Sequence, residues 1–426
     1  MDRPIKPASA SVTGVSHSTL FSLLLKALHG GRAENLPELV QLLKLPSHII
    51  SGLVDEAIAL DLLKVTGAAG DSALPILTYS LTIAGRTAAA EALERNGYIG
   101  PAPVGLQAYR NRVKALALRN ERLDPARMSG AFSDLVLAEN FINRIGPAIT
   151  AGRSILLYGP PGNGKSSVAR SVGRMFTNVI YVPYCIEIEG QIIKIFDPGV
   201  HQEATAPEGG RHPNSDIHEE DIDYRWVACR RPVIITGGEF SLDMLDLHYI
   251  ETSKVYEAPL HIKAMGGVFI IDDFGRQLAQ PKDILNRWMI PLDERVDYLK
   301  ILSGTTISLP FETLVIFCTN LAPNTLMDAA FLRRIPYKIK LRPPSVEQYR
   351  EIFERAAAEK GLKLSRSAFD WLISELRDHR KLPLGCYQPR FIVDHLIEAC
   401  AFEGRPAVLE KPLVAAALDD LYAEDS

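Results

Sequence analysis

The sequence contains few cysteines, no long apolar run and no excess of basic residues. Its five cysteines lie far apart and form no Cys-x-x-Cys pair, which is typical of reduced thiols in a cytosolic protein. No stretch approaches the roughly 20 apolar residues that a membrane-spanning helix needs, and the polar first residues lack the apolar core of a signal peptide. These absences predict a cytoplasmic protein without membrane insertion.

The charge balance argues weakly against a general nucleic-acid binder. The formal net charge is −4 at pH 7, whereas general nucleic-acid binders neutralise phosphates with clustered Lys and Arg. Nucleic acid is therefore an unfavoured partner. Apolar and charged residues make up 47% and 23% of the chain, as in ordinary globular proteins. The length of 426 residues allows two or three domains.

Apolar periodicity and Pro/Gly punctuation divide the chain into five segments. They are predicted to be a flexible tail, a small α+β domain, a linker with a helix, an α/β core and a helical lid. Their respective bounds are residues 1–16, 17–100, 101–127, 128–341 and 342–426. The overall fold class is therefore expected to be α/β, with a small α+β domain before the core.

The α+β domain is predicted to contain three helices, a hairpin and a closing helix, which is a winged-helix-like pattern. A winged helix often binds DNA, so the charge of its third helix matters. That helix, residues 47–61, carries Asp55, Glu56 and Asp61 and no Lys or Arg. Acidic groups repel phosphates, so docking of a protein partner is favoured over DNA reading.

A long polar stretch at about residues 197–223 is predicted to be an insertion within the core. It contains His201, His212 and His218 and an acidic run at 219–221. The spacing of these histidines fits no zinc-ligand pattern, so a mobile surface insertion is favoured over a metal site.

A phosphate-binding loop is predicted at residues 159–166. The apolar run Ser154–Tyr158 suits a buried parallel strand, and a helix can follow, so Gly-x-x-x-x-Gly-Lys-Ser lies in the strand–loop–helix setting that it requires. Lys165 would reach the outer phosphates, and the Ser166 hydroxyl would hold Mg²⁺. The residues predicted to contact ATP here are Gly159, Pro160, Pro161, Gly162, Asn163, Gly164, Lys165, Ser166 and Ser167.

A second acidic site is predicted at the end of another buried strand. Val268–Ile271 is apolar and is followed directly by Asp272 and Asp273. Asp272 would hold Mg²⁺ through its water shell, and Asp273 would orient or deprotonate the attacking water. Taken alone, the two residues could cap a helix or lie in a turn. Because the same chain contains a phosphate loop, the metal and water roles are favoured.

The phosphate loop and the acidic strand resemble those of AAA+ ATPases, and further landmarks follow in the order found in that family. The resemblance covers about residues 128–420. Leu314–Asn320 resembles the sensor-1 strand, which implies that Asn320 hydrogen-bonds the γ-phosphate or the attacking water. Gln388–Arg390 is similar to a sensor-2 motif, which implies that Arg390 senses the γ-phosphate from the lid.

The segment Asp328–Arg334 resembles the one that carries the arginine finger in AAA+ proteins. Such a finger can be supplied by a neighbouring subunit, so the resemblance implies a homo-oligomeric ring, with a hexamer expected. Arg333 and Arg334 are adjacent, and both stay candidates. One of them can act in trans while the other forms a salt bridge within its own chain.

Two finer features narrow the resemblance to one branch of the family. Ala264–Gly267 resembles the lead-in to the acidic strand in MoxR and magnesium-chelatase proteins. Residues 298–301 and 305–309, with Ser303-Gly304 as a turn between them, look like the pre-sensor-1 β-hairpin of the same superclade. Residues 181–184 follow the predicted second core strand. This is the position at which pore loops project in relatives, so the resemblance makes these residues a candidate pore loop.

One stretch mixes basic and aromatic residues, Tyr224–Pro232. Such a mixture can contact a nucleic acid, or its cations can stack on Trp226 within the fold. The acidic run just before it favours an internal or intersubunit ion-pair role.

Asp273 departs from the pattern of most such ATPases, which have Glu at this position. Asp is one methylene shorter, so the water must sit closer to the backbone.

The function expected first is an ATP-hydrolysing ring that remodels or assembles a protein partner, with ATP and Mg²⁺ as ligands. The alternatives are a low-turnover nucleotide switch or scaffold, which Asp273 supports, and a DNA-acting motor or loader.

Overall fold

The computed structural model describes residues 3–69, 76–121, 123–204 and 221–422. The N-terminal block begins with three helices, continues with an antiparallel hairpin and closes with a fourth helix. Ser16, Asn35 and Thr82 each cap a helix by accepting a hydrogen bond from a backbone N–H of its first turn. The elements are α1 (His17–His29), α2 (Leu36–Leu43), α3 (Ser47–Ala59), β1 (Leu63–Ala69), β2 (Ile76–Leu81) and α4 (Ile83–Arg95).

The residues before α1 differ from the expected flexible tail, because their backbone pairs with another part of the chain. Asp223 N donates to Pro4 O, and Lys6 N donates to Asp221 O, both at 2.8 Å. Thr13 is only 1% exposed. The C-terminal end of the predicted insertion thus supplies the hydrogen-bond partners of Pro4 and Lys6.

The central part of the chain alternates strands with helices. Its elements are β3 (Val104–Gly105), α5 (Leu106–Ala115), α6 (Pro125–Ala131), α7 (Phe141–Thr150), β4 (Ile155–Tyr158), α8 (Lys165–Arg174), β5 (Val179–Pro183), β6 (Cys185–Ile188), β7 (Gln191–Lys194), β8 (Trp226–Arg230), β9 (Val233–Thr236), β10 (His248–Ile250), β11 (Val255–Glu257), α9 (Leu260–Lys263), β12 (Val268–Ile271), α10 (Pro281–Glu294), β13 (Val296–Lys300), β14 (Thr306–Pro310), β15 (Leu314–Thr319), α11 (Pro323–Leu326), α12 (Ala329–Leu332) and β16 (Tyr337–Lys340).

A five-stranded parallel sheet, in the order β16-β4-β15-β12-β9, forms the centre of this part. Every residue of β12 and β15 is buried, as expected for strands that are covered on both faces and therefore apolar throughout. The predicted α/β class with a parallel P-loop sheet is confirmed. Because the carboxyl ends of β4, β15 and β12 share one edge, the segments that follow these strands lie side by side.

The prediction that residues 181–184 follow the second strand of the core sheet is wrong. Residues 179–183 form β5, which pairs antiparallel with β8 over its whole length outside the parallel sheet. Because β8 takes up these backbone hydrogen bonds, the chain returns to the parallel sheet only with β9, which lies beside β12. Tyr184 directly follows β5, outside the parallel sheet, and packs edge-on against Phe196 with ring centroids 5.4 Å apart.

The basic and aromatic stretch around β8 has internal roles. Arg225 forms an ion pair with Asp223 at 2.8 Å, and each side chain is only 4% exposed. Arg231 is also buried and donates to Glu121 at 2.5 Å. The Arg112 guanidinium lies 5.7 Å from the ring centroid of Trp226. These contacts agree with the ion-pair role that was favoured over nucleic-acid binding.

A mixed sheet, β10-β11-β7-β6-β3, flanks the core, and the hairpin expected near Ser303-Gly304 is formed by β13 and β14. The C-terminal block consists of helices that pack around an apolar core of their own, which includes Tyr349, Phe353 and Leu396. These helices are α13 (Val346–Glu359), α14 (Arg366–Ser374), α15 (Gln388–Phe402) and α16 (Lys411–Leu421).

Across the described residues, every helix is too short or too polar to cross a membrane.

The hairpin is anchored by Asp297, a fully buried carboxylate near the start of β13. Its two oxygens lie 2.6 Å from His261 Nε2 and 2.6 Å from Arg287 Nη1. Burial alone would raise the pKa of Asp297, but the hydrogen bonds and charges of His261 and Arg287 outweigh it, so the pKa lies below its usual value. The charged form is thus the stable one in the fold.

We expect Asp297→Ala to lower the free energy of unfolding by about 3–5 kcal/mol, because it breaks a buried ion pair and leaves Arg287 and His261 without the carboxylate that they contact. Urea unfolding followed by circular dichroism measures this loss. Asp246→Ala is the matched control, since Asp246 contacts the same Arg287 at 3.4 Å but is 65% exposed. Because the folded-state pKa is lowered, the contribution of Asp297 is complete above about pH 4 and disappears as the pH falls further. Equal losses for the two variants would contradict this anchoring role.

Candidate functional site

The phosphate loop connects β4 to α8 and has an unusual backbone at its glycines. Gly159, Gly162 and Gly164 have φ angles of 143°, 74° and 76°, a region that L side chains rarely adopt. A side chain at position 159 would also come within 2.2 Å of Leu341 O. The sequence folds in this way locally because only glycine permits these turns, and the resulting loop ends at the N-terminus of α8.

Lys165 is the first residue of α8, and its side chain folds back over the loop. Its Nζ donates to Gly159 O at 3.0 Å and to Pro160 O at 2.8 Å. Burial lowers the pKa of Lys165, although the nearby acidic groups, which include Asp273 and Asp272, act in the opposite direction. An anion at this position would therefore meet a poorly solvated ammonium group, which strengthens the attraction.

Ser166 and Asp272 meet although they are far apart in the sequence. Asp272 follows β12 directly, and Ser166 Oγ donates to Asp272 Oδ1 at 2.8 Å. A hydroxyl and a carboxylate are oxygen ligands of the kind that Mg²⁺ prefers. The two residues predicted to hold Mg²⁺ are thus brought together.

Asp273 and Asn320 form the next contact along the same edge of the sheet. Asn320 follows β15, and its Nδ2 donates to Asp273 Oδ1 at 3.2 Å. Both side chains are open to the cleft that the phosphate loop borders. The carboxylate predicted to act on water is therefore accessible and is oriented by the predicted sensor asparagine.

The C-terminal helices close this cleft, which has a volume of about 940 Å³. Arg390, near the start of α15, lines the cleft, and its exposed side chain lies 3.8 Å from Asp394. Tyr387 lies against the phosphate loop, since a Cβ on Gly162 would be 2.1 Å from its Cδ1. The predicted sensor arginine thus shares the cleft with the phosphate loop.

Arg333 and Arg334 have different surroundings. Arg334 Nε lies 2.5 Å from Asp293 Oδ2, and Arg334 Nη1 donates to Ala330 O at 2.8 Å. Arg333 is exposed and forms no ion pair with the residues that the structure describes. Neither residue lines the cleft of its own chain. Of the two candidates, Arg334 is held within its own chain and Arg333 is available to another.

Of the three histidines in the predicted insertion, only His201 lies among the described residues. His201 is 2% exposed, accepts a hydrogen bond from Asp197 N at 3.0 Å and contacts Lys263 O through its other ring nitrogen. Within the described ranges no group of three or more His, Cys, Asp or Glu side chains could hold a metal ion. His212 and His218 lie within 205–220, outside the residues that the structure describes.

The residues of the cleft fit a nucleoside triphosphate with Mg²⁺. Asn163 is 5% exposed and lines the cleft, yet neither polar atom of its amide has a hydrogen-bond partner among the residues that the structure describes. Buried polar groups are normally paired, so this amide has unused capacity to contact a ligand. Together with the ammonium of Lys165 and the Ser166–Asp272 pair, it provides donors for phosphates and oxygen ligands for a cation.

Sequence reasoning missed several residues of the cleft. Arg276 lies three positions after Asp273, and this short spacing could have drawn attention to it. Tyr387 precedes the predicted sensor-2 motif directly. Arg355 on α13 also lines the cleft, but no local pattern distinguishes it from other arginines on exposed helix faces.

Comparison with known proteins gives one family model and several solved structures. The model is described as a domain of unknown function (DUF8689) and matches residues 345–420. No curated protein matches the chain. NtrX from Brucella abortus is 12% identical with a TM-score of 0.41, and the match covers 81% of this chain and 62% of NtrX. The chain thus spans less than two thirds of the NtrX chain.

Two other similar structures come from Thermotoga maritima. Domain III of the replication initiation protein DnaA is 13% identical with a TM-score of 0.37, over 70% of this chain and 98% of that one. The RuvB Holliday junction branch migration motor is 14% identical with a TM-score of 0.35, over 70% of each chain. These neighbours are P-loop AAA+ ATPases. Because the scores lie below 0.5, the assignment of a P-loop α/β fold rests on the strand order and phosphate loop of this chain.

Proposed function

We propose that the protein is an ATP-binding and ATP-hydrolysing AAA+ ATPase that acts as a ring and remodels or assembles a protein partner. Support comes mainly from the convergence in one cleft of Lys165, the Ser166–Asp272 pair and the Asp273–Asn320 pair. These groups follow three different strands, so chance placement along the chain does not explain their meeting. They are the groups that phosphoryl transfer to water needs.

Each residue has a definite task in this reaction. The loop amides and Lys165 hold the phosphates of ATP, while Ser166 and Asp272 would hold Mg²⁺, which neutralises phosphate charge. Asp273 accepts the proton of the attacking water as the new oxygen–phosphorus bond forms and the bond between the γ-phosphorus and the oxygen that leaves with ADP breaks. Asn320 keeps the Asp273 carboxylate oriented toward the cleft. ADP and phosphate are the products.

A ring is favoured because neither Arg333 nor Arg334, the two candidates for the arginine finger, lines the cleft of its own chain. The ion pair of Arg334 with Asp293 occupies one candidate, which leaves Arg333 as the finger for the next subunit. Charge that develops on the transferred phosphoryl group would be offset in this way. The AAA+ resemblance makes a hexamer the expected assembly.

The N-terminal block is proposed to be a winged-helix-like domain that docks a protein. Its surface carries apolar side chains that are 38–57% exposed, namely Ile58, Leu60, Val65, Ile76 and Leu77. We propose that a protein partner covers some of these side chains. We further propose that residues 128–341 are the AAA+ core, with 342–426 as its lid, and that the β13–β14 hairpin relates the core to the MoxR and magnesium-chelatase branch.

A low-turnover nucleotide switch is the second candidate function, because Asp273 stands where most such ATPases have Glu. The two functions predict different effects of Asp273→Asn. A hydrolase should lose about 10²-fold or more of its turnover while still binding Mg·ATP, because the general base is gone. Phosphate release and nucleotide binding, measured side by side, test this.

The control for that comparison is Asp283→Asn, which changes an exposed carboxylate on α10 and should leave turnover unchanged. If the native chain turns over no faster than Asp273→Asn, the hydrolase is rejected in favour of the switch. Asp273→Asn, loaded with ATP, should retain a bound protein partner longer than the native chain does.

A further inference from the structure

The backbone at Asp273 has an unusual conformation that no sequence pattern predicts. Asp273 has a φ angle of +48°, which lies in the left-handed region that non-glycine residues seldom occupy. Asp is among the residues that tolerate this region best, because its short side chain can hydrogen-bond locally. Here Asp273 N donates to the Asp272 carboxylate at 3.1 Å.

The side chain of Gln277 bridges this turn from within. Its Nε2 donates to Asp272 O at 2.9 Å and to Asp273 O at 3.2 Å. Its Oε1 accepts from Gly275 N at 2.8 Å. One amide therefore satisfies backbone groups on both sides of the left-handed residue, which fixes the orientation of the peptide units that flank it.

The turn is also tied to the strands on either side of β12. Phe274 N donates to Cys318 O at 2.6 Å, and Leu278 N donates to Gly238 O at 3.1 Å. These bonds hold the ends of the turn, while Asp272 N donates to Thr236 O at 2.8 Å and Arg276 N donates to Asp273 O at 3.0 Å. To these backbone bonds the side chain of Gln277 adds its contacts with Asp272 O, Asp273 O and Gly275 N.

We propose that Gln277 is a positioning residue for ATP hydrolysis, which holds Asp273 in its left-handed conformation and directs its carboxylate into the cleft. This inference rests on the proposed function. It also gives a physical reason for Asp in place of Glu, since a left-handed backbone suits the shorter acid. The changed backbone direction brings a short side chain to the place where Asn320 contacts it.

The test compares Gln277→Leu with Gln280→Leu in the full chain. Gln280 is exposed, lies three residues further on and makes no side-chain capping bond, so it is a matched control. Without nucleotide, hydrogen exchange at the amide of Gly275 should become faster in Gln277→Leu alone. With Mg·ATP, kcat should fall about 10- to 100-fold while KM stays within about twofold, since a small displacement of the reacting group affects the chemical step.

A second variant, Gln277→Glu, separates the two halves of the amide. It keeps an oxygen for Gly275 N but loses the donor to Asp272 O and Asp273 O. We expect Gly275 to stay protected while kcat falls. A native kcat in Gln277→Glu, or native exchange at Gly275 in Gln277→Leu, would overturn the positioning role.

Failure of the proposed function would look different. If the native chain showed no ATP turnover, the hydrolase would be rejected, whereas the exchange experiment would still decide whether Gln277 holds the turn. If exchange rose in Gln277→Leu but kcat equalled that of Gln280→Leu, the turn would be held by Gln277 without any consequence for hydrolysis, and the inference would be wrong.

Discussion

Arg333→Ala is expected to lower ATP turnover by about 10³-fold or more, because a finger that is supplied from a neighbouring subunit stabilises the transferred phosphoryl group to this extent. The affinity for Mg·ATP should stay nearly unchanged, since the charge that the finger offsets develops only in the transition state. The exposed position of Arg333, without an ion pair to any described residue, is the structural basis for this expectation.

Arg334→Ala is the matched control for that variant. It removes the same group one residue away, but its guanidinium is paired with Asp293 at 2.5 Å. We expect a loss of stability and at most a small change in turnover. Turnover should return when Arg333→Ala is mixed with Asp273→Asn, because each chain then supplies what its neighbour lacks. No recovery in mixed assemblies that form normally would contradict action in trans.

The positions of several predicted site residues can be inferred from local sequence patterns. Lys165, Asp272 and Asn320 each follow an apolar strand, and the position of a polar group at the end of such a strand can be inferred from neighbouring residues alone. Their meeting followed from one further assumption, that the strands are parallel and adjacent. The order β4-β15-β12 within the sheet makes that assumption correct.

Other features depended on contacts that no local pattern contains. Residues 179–183 have the apolar character of a core strand, yet β5 pairs with β8 because the antiparallel partner is available there. We favour Arg333 over Arg334 as the arginine finger because Arg334 forms an ion pair with Asp293. Asp293 lies on α10, far from Arg334 in the sequence, so no local pattern indicates this contact. The bridging amide of Gln277 could not be foreseen, since the left-handed conformation of Asp273 is invisible in a sequence.

The second large effect is expected at Lys165, whose ammonium lies over the phosphate loop. Lys165→Ala should weaken Mg·ATP binding by about 2–3 kcal/mol, roughly 30- to 150-fold, because a charge-assisted contact to phosphate is lost. The loop itself should keep its shape, since its turns are set by the three glycines. Lys282→Ala, which changes an exposed lysine on α10, is the control and should bind like the native chain.

The cleft between β4, β12 and the C-terminal helices is proposed to hold a nucleoside triphosphate with its cation. Calorimetric titration of the purified full chain with ATP and Mg²⁺ tests it most directly. We predict one site per chain, with clear weakening in Lys165→Ala and none in Lys282→Ala. No measurable heat of binding for the native chain, or equal affinity in both variants, would contradict the assignment of this cleft.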